Sequence, residues 1–284
     1  MSQPVSRALD LISTIKNNPE NYLFHYTRTT TALNSIIPSN TIRFSPLTET
    51  NDLEESRRFE DLHLIHDGTD QTSSMNVLME AIRVLPCRYR SASFCMSRLS
   101  NPHDNLTNDR YGFSFPRMWA TYGDNHNGIC LIFHLPELIS SLMRFSDKEH
   151  LTGGRVQYLS DCELISQNIS NNPRAIPTPL TDIEQINKHI RERSHFFFFR
   201  KHIDWRDECE YRFIYYGEEN PGQPLDIDYG SALVGIAIGK RISYQIKREI
   251  ADIANSNSLP YFVNEFTSMG ILQLPFDIEV PDRP

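Results

Sequence analysis

The sequence predicts one domain of the α+β or mixed α/β class, on three observations. Apolar stripes at helical spacing alternate along the chain with short apolar runs of strand length. One such run, residues 128–134 (GICLIFH), is apolar without alternation, as a strand covered on both faces would be. No internal repeat, low-complexity tract or charge block cuts the 284 residues into parts, although that length would accommodate two ordinary domains.

Each element has its own warrant. Val5, Ala8, Leu9, Ile12 and Ile15 recur at helical spacing before Pro19 and give an amphipathic helix. Tyr22 to Tyr26 reads as a short strand. Thr29 to Ile37 opens on hydroxyl residues able to cap a helix, carries Ala32, Leu33, Ile36 and Ile37, and stops before Pro38. Thr41 to Phe44 extends again. Met75, Leu78, Met79, Ile82 and Leu85 form a second stripe, with a strand around Ala92 to Met96 after it. Pro116 stands where a first-turn proline would, opening a helix through Met118, Trp119 and Tyr122 that ends at Gly123. Beyond residue 134, a long helix is expected over Thr181 to Lys201, and strands over Glu208 to Tyr216 and Leu233 to Ile238. Ser243 to Asn255 then reads as a helix and Pro260 to Phe266 as a late strand.

Composition excludes several classes. With 39% hydrophobic and 23% charged residues the chain is too apolar to be disordered. A net charge of -8 means that any nucleic-acid site is a local patch. No stretch approaches the ~20 apolar residues of a bilayer span, and the start, MSQPVSRALD, lacks the apolar core of a signal peptide, so a cytoplasmic protein is expected. The five cysteines are odd in number and widely spaced, which reads as reduced, mostly buried thiols. His63 and His66 lie three apart on an expected helix with no third ligand nearby, and no metal is expected. Gly235 to Lys240 falls short of a phosphate loop: its glycines are one residue too close and no Ser or Thr follows Lys240.

Four motifs carry candidate chemistry. Phe24-His25-Tyr26-Thr27-Arg28 ends a strand before a helix start, where unpaired N–H groups suit a phosphate and a histidine beside Thr27 can donate hydrogen bonds to a ribose; a structural histidine is the bland alternative. Residues 45–54 form a polar turn in which Asn51-Asp52 either binds a ligand or caps the helix carrying Arg57 and Arg58. Met118 to Gly128 puts Trp119 and Tyr122 three apart on one helical face, a spacing more usual in a core. Trp205 to Phe213 is the sharpest. As a strand it sets Glu208, Glu210 and Arg212 on one face and Cys209, Tyr211, Phe213 and Tyr215 on the other, which is either a solvated face or a carboxylate pair aimed into a cleft.

Together HYTR, NDLEE, MWATYGDNHNG, and Lys201 with WRDECEYR resemble a widespread bacterial family catalogued as a domain of unknown function, over roughly residues 22 to 240. The HYT start followed by the Leu33/Ile36/Ile37 helix, and the Glu208-Cys209-Glu210 strand, are similar to ADP-ribosyltransferases, especially bacterial toxins that modify nucleic acids. The resemblance implies an α+β fold with a split, mostly antiparallel sheet, formed by a single domain over residues 1–284 with helical insertions near 55–90 and 135–200. It implies NAD as substrate, with Glu210 and Glu208 as catalytic carboxylates and Tyr122 as a third catalytic residue. Tyr122 or Tyr111 would stack near nicotinamide. His25, Tyr26, Thr27, Asn51, Trp119 and Arg212 would contact NAD. The absence of a Ser-Thr-Ser strand typical of the arginine-modifying branch argues against an arginine acceptor.

For the acceptor, nucleic acid (RNA or single-stranded DNA) is expected ahead of protein, because Arg191 to Arg206 carries a local balance of +3 with aromatics between the charges. A toxin or phage-defence effector, with an antitoxin partner and no membrane, is the implied setting. The rival readings are an NADase, a nucleotide sensor without turnover, and an interaction protein that docks through Phe196 to Phe199.

Overall fold

The N-terminal stripe forms α1 (Gln3–Asn17), with Ala8, Ile12 and Ile15 buried, and β1 (Tyr22–Thr27) follows a short turn opened by Pro19. In the computed structural model, residues 3–50, 58–65, 71–98, 110–146, 150–267 and 270–274 are described. The next helical run departs from expectation. It comprises α2 (Thr29–Thr31), a π-helical turn over Ala32–Ile36 and α3 (Ile37–Ser39), and it ends at Asn40 in the left-handed region. No hydroxyl caps it, since Thr29 Oγ1 donates to the Asn127 carbonyl instead. Pro38 lies inside the run; its ring and missing N–H need space one turn back, which the wider π turn supplies.

Then come β2 (Thr41–Pro46) and β3 (His63–Ile65), so His63 sits on a strand and not on a helix, while His66 lies outside the described residues. After α4 (Gln71–Arg88), β4 (Tyr89–Cys95) and α5 (Pro116–Thr121), β5 (Ile129–His134) is buried on both faces through Phe133. α6 (Leu135–Phe145), β6 (Leu151–Arg155), β7 (Gln157–Leu159), α7 (Asp161–Asn171) and β8 (Ala175–Pro177) follow.

The long helix expected up to Lys201 is three elements: α8 (Ile183–Glu192), α9 (Ser194–Phe198) and β9 (Arg200–His202). Phe197, Phe198 and Phe199 are all buried, and three consecutive residues of a helix point 100° apart, so one continuous helix could not bury them against one surface. β10 (Glu210–Tyr216) begins two residues later than expected, because Ile203–Glu208 forms a 3-10 turn and Cys209 adopts φ 46°. β11 (Leu225–Asp228), β12 (Leu233–Gly239), α10 (Tyr244–Ser256), β13 (Tyr261–Thr267) and β14 (Gly270–Leu274) complete the chain.

Among the described residues ten strands form one sheet in the order β11-β2-β4-β1-β5-β12-β13-β14, with β10 on β4 and β6 on β10. Every pairing in it is antiparallel except β12 with β13, which α10 connects. The class is therefore α+β with a mixed, mostly antiparallel sheet. The two expected insertions meet, since β3 pairs with β8 and α4 packs on α8. No helix among the described residues is long and apolar enough to cross a membrane.

Register sorts the side chains into layers. Leu23, Phe94, Leu131, Phe133, Phe213, Ile236 and Val263 face α6, α10 and the helical run after β1. The other face carries two apolar clusters. Phe24, Tyr26, Cys95, Ile132 and Phe262 pack under α1 and α5, while Tyr89, Ile214 and Tyr216 pack under α4, α8 and the phenylalanines of 197–199. Between them on that same face stand Ser91, Ser93, Glu210 and Arg212. At the far end of β4, the buried Arg90 donates to the carbonyls of Gly217, Glu219, Asn220 and Gln223.

The turn between α5 and β5 brings backbones unusually close. A Cβ on Gly128 would meet the Thr27 carbonyl oxygen at 2.4 Å and the Gly123 carbonyl carbon at 2.7 Å, neither of which can rotate away. Gly128→Ala is therefore expected to lose ~2–3 kcal/mol, in the range of overpacked sites. Urea denaturation measures it, and a loss under ~0.5 kcal/mol, the level of an ordinary surface change, would mean that the turn relaxes freely.

Candidate active site

The site grows out of β4. β10 runs along one edge for its whole length, Glu210 opposite Cys95 and Tyr216 opposite Tyr89. The other edge takes β2 at Arg90 and Ser91, and β1 at Cys95 alone. No described strand pairs with residues 92–94 on that edge, so β1 and β2 part there and a cavity of about 400 Å³ opens. Its walls include His25 and Tyr26 from β1, Arg43 from β2, Ser91 and Ser93 from β4, Tyr122, Lys201, Trp205, and the carboxylates of Glu208 and Glu210.

His25 belongs to the opposite face of the sheet, against Phe94, and reaches the cavity through the gap. Its Nδ1 lies 3.3 Å from the Ser93 carbonyl, which can only accept, so Nδ1 carries the proton. Burial pushes the imidazole below its ordinary value, more than this bond raises it. The ring is neutral at pH 7 and offers Nε2 as an acceptor, where the sequence pointed to a donor.

The facing wall is a buried charge cluster. Arg212 clamps Glu210 with Nε at 2.7 Å and Nη2 at 2.8 Å, and Ser93 Oγ donates to the same carboxylate at 2.5 Å. Arg212 Nη1 also donates to the Phe198 carbonyl, and Tyr158 Oη accepts the Glu210 backbone N–H. Lys201 Nζ sits 2.9 Å from Glu208 and 3.0 Å from Glu210, and the Tyr122 hydroxyl donates to Glu208 at 2.5 Å. The side chains of Lys201, Glu208, Glu210 and Arg212 are 9% exposed or less, so water screens these pairs little. Burial by itself would raise the Glu210 carboxyl, but Arg212, then Lys201, then the bonds from Arg212 and Ser93 outweigh it and hold the group far below the ordinary carboxylate range.

Sequence reasoning set Glu208 and Glu210 on one strand face. Glu208 is not on the strand; the left-handed Cys209 folds the chain so that both carboxylates still enter one cavity. Tyr26, Tyr122 and Arg212 line it as well. Thr27 and Trp119 do not: Trp119 is fully buried, donating Nε1–H to the Phe113 carbonyl and stacking over His126. Tyr122, the C-cap of the same helix, still has helical backbone and packs on the cluster that holds Trp119, but its hydroxyl reaches the cavity. Tyr111 packs on Phe113 away from the cavity, and Asn51 lies outside the described residues. Of the five cysteines, all unbridged, Cys95 and Cys130 are buried, Cys162 is exposed and the other two are half-buried, so "mostly buried" overstates them. Among the described residues no group of His, Cys, Asp or Glu has the makings of a metal site. Lys240 follows β12 as a surface residue, paired with Glu265.

Several site residues were not singled out from sequence. Ser91-Ala92-Ser93, within β4, sets two serines on the cavity wall. Tyr158 and Arg43 carried no signal of their own. The basic stretch 191–206 is not laid out as a single-strand groove, because Phe197, Phe198, Phe199 and Arg200 are buried and Lys201 is held by the glutamates. What remains at the cavity is Trp205, half-buried with Lys201 over its ring; two residues further along the chain Asp207 is surrounded by Arg98, Arg117 and Arg206.

Residues 118–213, from Met118 through Lys201 and both glutamates to Phe213, match a family model described as "Protein of unknown function (DUF2971)". That stretch is thus similar to a family catalogued without a function, as two of the four motifs led one to expect; the HYTR and NDLEE motifs lie before it. No curated protein and no solved structure matches the chain.

The Arg212–Glu210 clamp makes a stability prediction. Arg212→Leu takes from a buried carboxylate its bidentate guanidinium, leaving Lys201 and Ser93, and should cost about 3–5 kcal/mol at pH 7, part of which Arg212→Leu/Glu210→Leu should recover. The depressed Glu210 value also makes wild-type stability present above the ordinary carboxyl range and progressively lost as pH falls below it, a dependence that the double variant should lack. Urea denaturation from pH 3 to 7 checks both; equal pH slopes in the two proteins would remove Glu210 as the source.

Proposed function

We propose that the protein cleaves the nicotinamide–ribose bond of NAD and transfers ADP-ribose to an acceptor, nucleic acid (RNA or single-stranded DNA) ahead of protein. The observation that carries this reading is the gap in the sheet at β4, with a neutral histidine acceptor on one side and two clustered carboxylates on the other. The sheet architecture is compatible with an ADP-ribosyltransferase-like split sheet, and the cavity volume suits the nicotinamide riboside end of the substrate.

The chemistry needs little proton transfer at the leaving group. The C1′–N bond breaks, its electron pair leaves with neutral nicotinamide, and positive charge develops on the ribose. Glu210, fixed and deprotonated, stabilises that charge through the ribose, as carboxylates do in glycoside cleavage. His25 Nε2 accepts from a ribose hydroxyl. The acceptor's lone pair closes on C1′ and its proton passes to Glu208, which Tyr122 and Lys201 orient. For the acceptor, Trp205 offers a stacking surface at the cavity, and Arg98, Arg117 and Arg206 near it offer cations for phosphates. Such an activity suits a bacterial toxin or phage-defence effector held in check by an antitoxin.

A second reading, a sensor that binds NAD without turnover, is favoured by one observation. Glu210 already has Arg212 twice, Ser93 and Lys201 within 3.0 Å, which fills the lone pairs of a carboxylate before any substrate arrives. Turnover discriminates between the two. With labelled NAD and whole-cell nucleic acid and protein, Glu210→Gln should lower label transfer ~100-fold or more while leaving NAD affinity nearly intact, and should abolish growth arrest on expression. Turnover within about threefold of wild type would remove Glu210 from the chemistry; a wild type that binds NAD but releases no nicotinamide would establish the sensor. His25→Ala should weaken NAD binding by the ~0.5–1.5 kcal/mol of a neutral hydrogen bond, read by calorimetry. Unchanged affinity would make His25 structural.

A further inference from the structure

We infer that Lys201 is a positioning residue for the reaction proposed above, on which its kinetic role rests: it lets Glu208 and Glu210 carry charge side by side, and so sets the pH range in which both work. One ammonium nitrogen stands 2.9 Å from an oxygen of Glu208 and 3.0 Å from an oxygen of Glu210. Those two oxygens therefore lie within about 6 Å of each other in a place that water hardly reaches, where like charges repel strongly. Carboxylates in such a position share a proton unless a cation stands between them.

The other groups facing the pair do not replace that cation. Arg212, on β10 itself, is committed to Glu210 by two of its nitrogens and to the Phe198 carbonyl by the third. Tyr122, after α5, gives Glu208 a hydrogen bond but no charge. Tyr158, on β7, accepts from the Glu210 N–H and is kept protonated by burial. Cys95 on β4 and Cys209 beside the pair are thiols that burial holds neutral. Asp207 is turned to Arg98 and Arg117. Among the described residues Lys201 is the cation that both glutamates touch.

Its own position is fixed from three sides. Lys201 lies on β9, whose pairing with β7 sets Tyr158 opposite it, and its Nζ rests 5.2 Å from the centroid of the Trp205 ring. A side chain held in this way does not follow solvent, so its charge is a built part of the cavity wall. Removing it leaves an interacting carboxylate pair that binds a proton as a unit, with one of the two apparent values moved up toward neutrality. A carboxyl that is protonated cannot receive the acceptor's proton.

The experiment compares wild type, Lys201→Met, Lys201→Gln and Lys201→Arg. The ratio kcat/KM for nicotinamide release from NAD is followed from pH 5 to 9, and carboxyl titration is followed by carbon NMR on protein labelled at Glu. In Lys201→Met and Lys201→Gln the acid limb should move up by about one pH unit or more, activity should recover toward alkaline pH, and a carboxyl should titrate near neutrality that titrates lower in wild type. Lys201→Arg should restore the wild-type limb. A uniform loss of rate at every pH, with wild-type carboxyl titration, would overturn the inference and leave Lys201 a structural residue. If wild type releases no nicotinamide, the turnover reading fails, and the NMR arm alone decides whether Lys201 keeps the pair ionised. Lys201→Gln retains a donor without charge, so it reports should Lys201→Met not fold.

Discussion

A strand has two edges, and each backbone position on an edge can pair with one neighbour. β4 is asked to hold three strands, which is possible only if two of them share one edge and divide its length. β2 takes the beginning, β1 takes the end, and the residues between are left to side chains. The site follows from that constraint. A carbonyl without a strand partner needs a donor, and His25 supplies one to Ser93 from the far side of the sheet. The gap also opens the cavity beside Ser91 and Ser93, with Glu210 and Arg212 buried beyond them.

Placing ions there would be unfavourable if each were left alone, since the surrounding clusters are aromatic and aliphatic on both sides. The chain meets this by making the ions neutralise one another: two carboxylates, one ammonium and one guanidinium, the last tied to backbone at the Phe198 carbonyl. A balanced set of this kind has fixed dipoles and little freedom to reorganise. Such rigidity is what electrostatic stabilisation of a short-lived cation requires, and it is also why Glu210 begins with its lone pairs full.

Much of this was legible in the sequence, for definable reasons. Period-two alternation placed Glu210 and Arg212 together, and the unbroken apolar run of β5 announced a central strand. Proline at 116 marked its helix start correctly. The failures share a cause, which is backbone that changes type within two or three residues. Cys209 in a left-handed conformation and the break at Arg193 each redirect side chains that regular spacing had assigned elsewhere. Lys201 was read as the end of a long helix, and from there its reach to two glutamates could not be seen. The burial of Phe197 to Phe199 likewise depends on three elements meeting, which no local pattern encodes.

The cage around Arg90 has a consequence for how the molecule can vary. Four carbonyls between residues 217 and 223 close on one guanidinium much as a macrocycle closes on a cation, and the planar fork has the directions that a lysine lacks. The ring size of that macrocycle is the length of the loop. Residues can be exchanged within it as long as their carbonyls stay in place, but a longer or shorter connection would no longer fit its guest. This surface loop therefore behaves as core, and grafting or circular permutation of the chain has to be sited elsewhere.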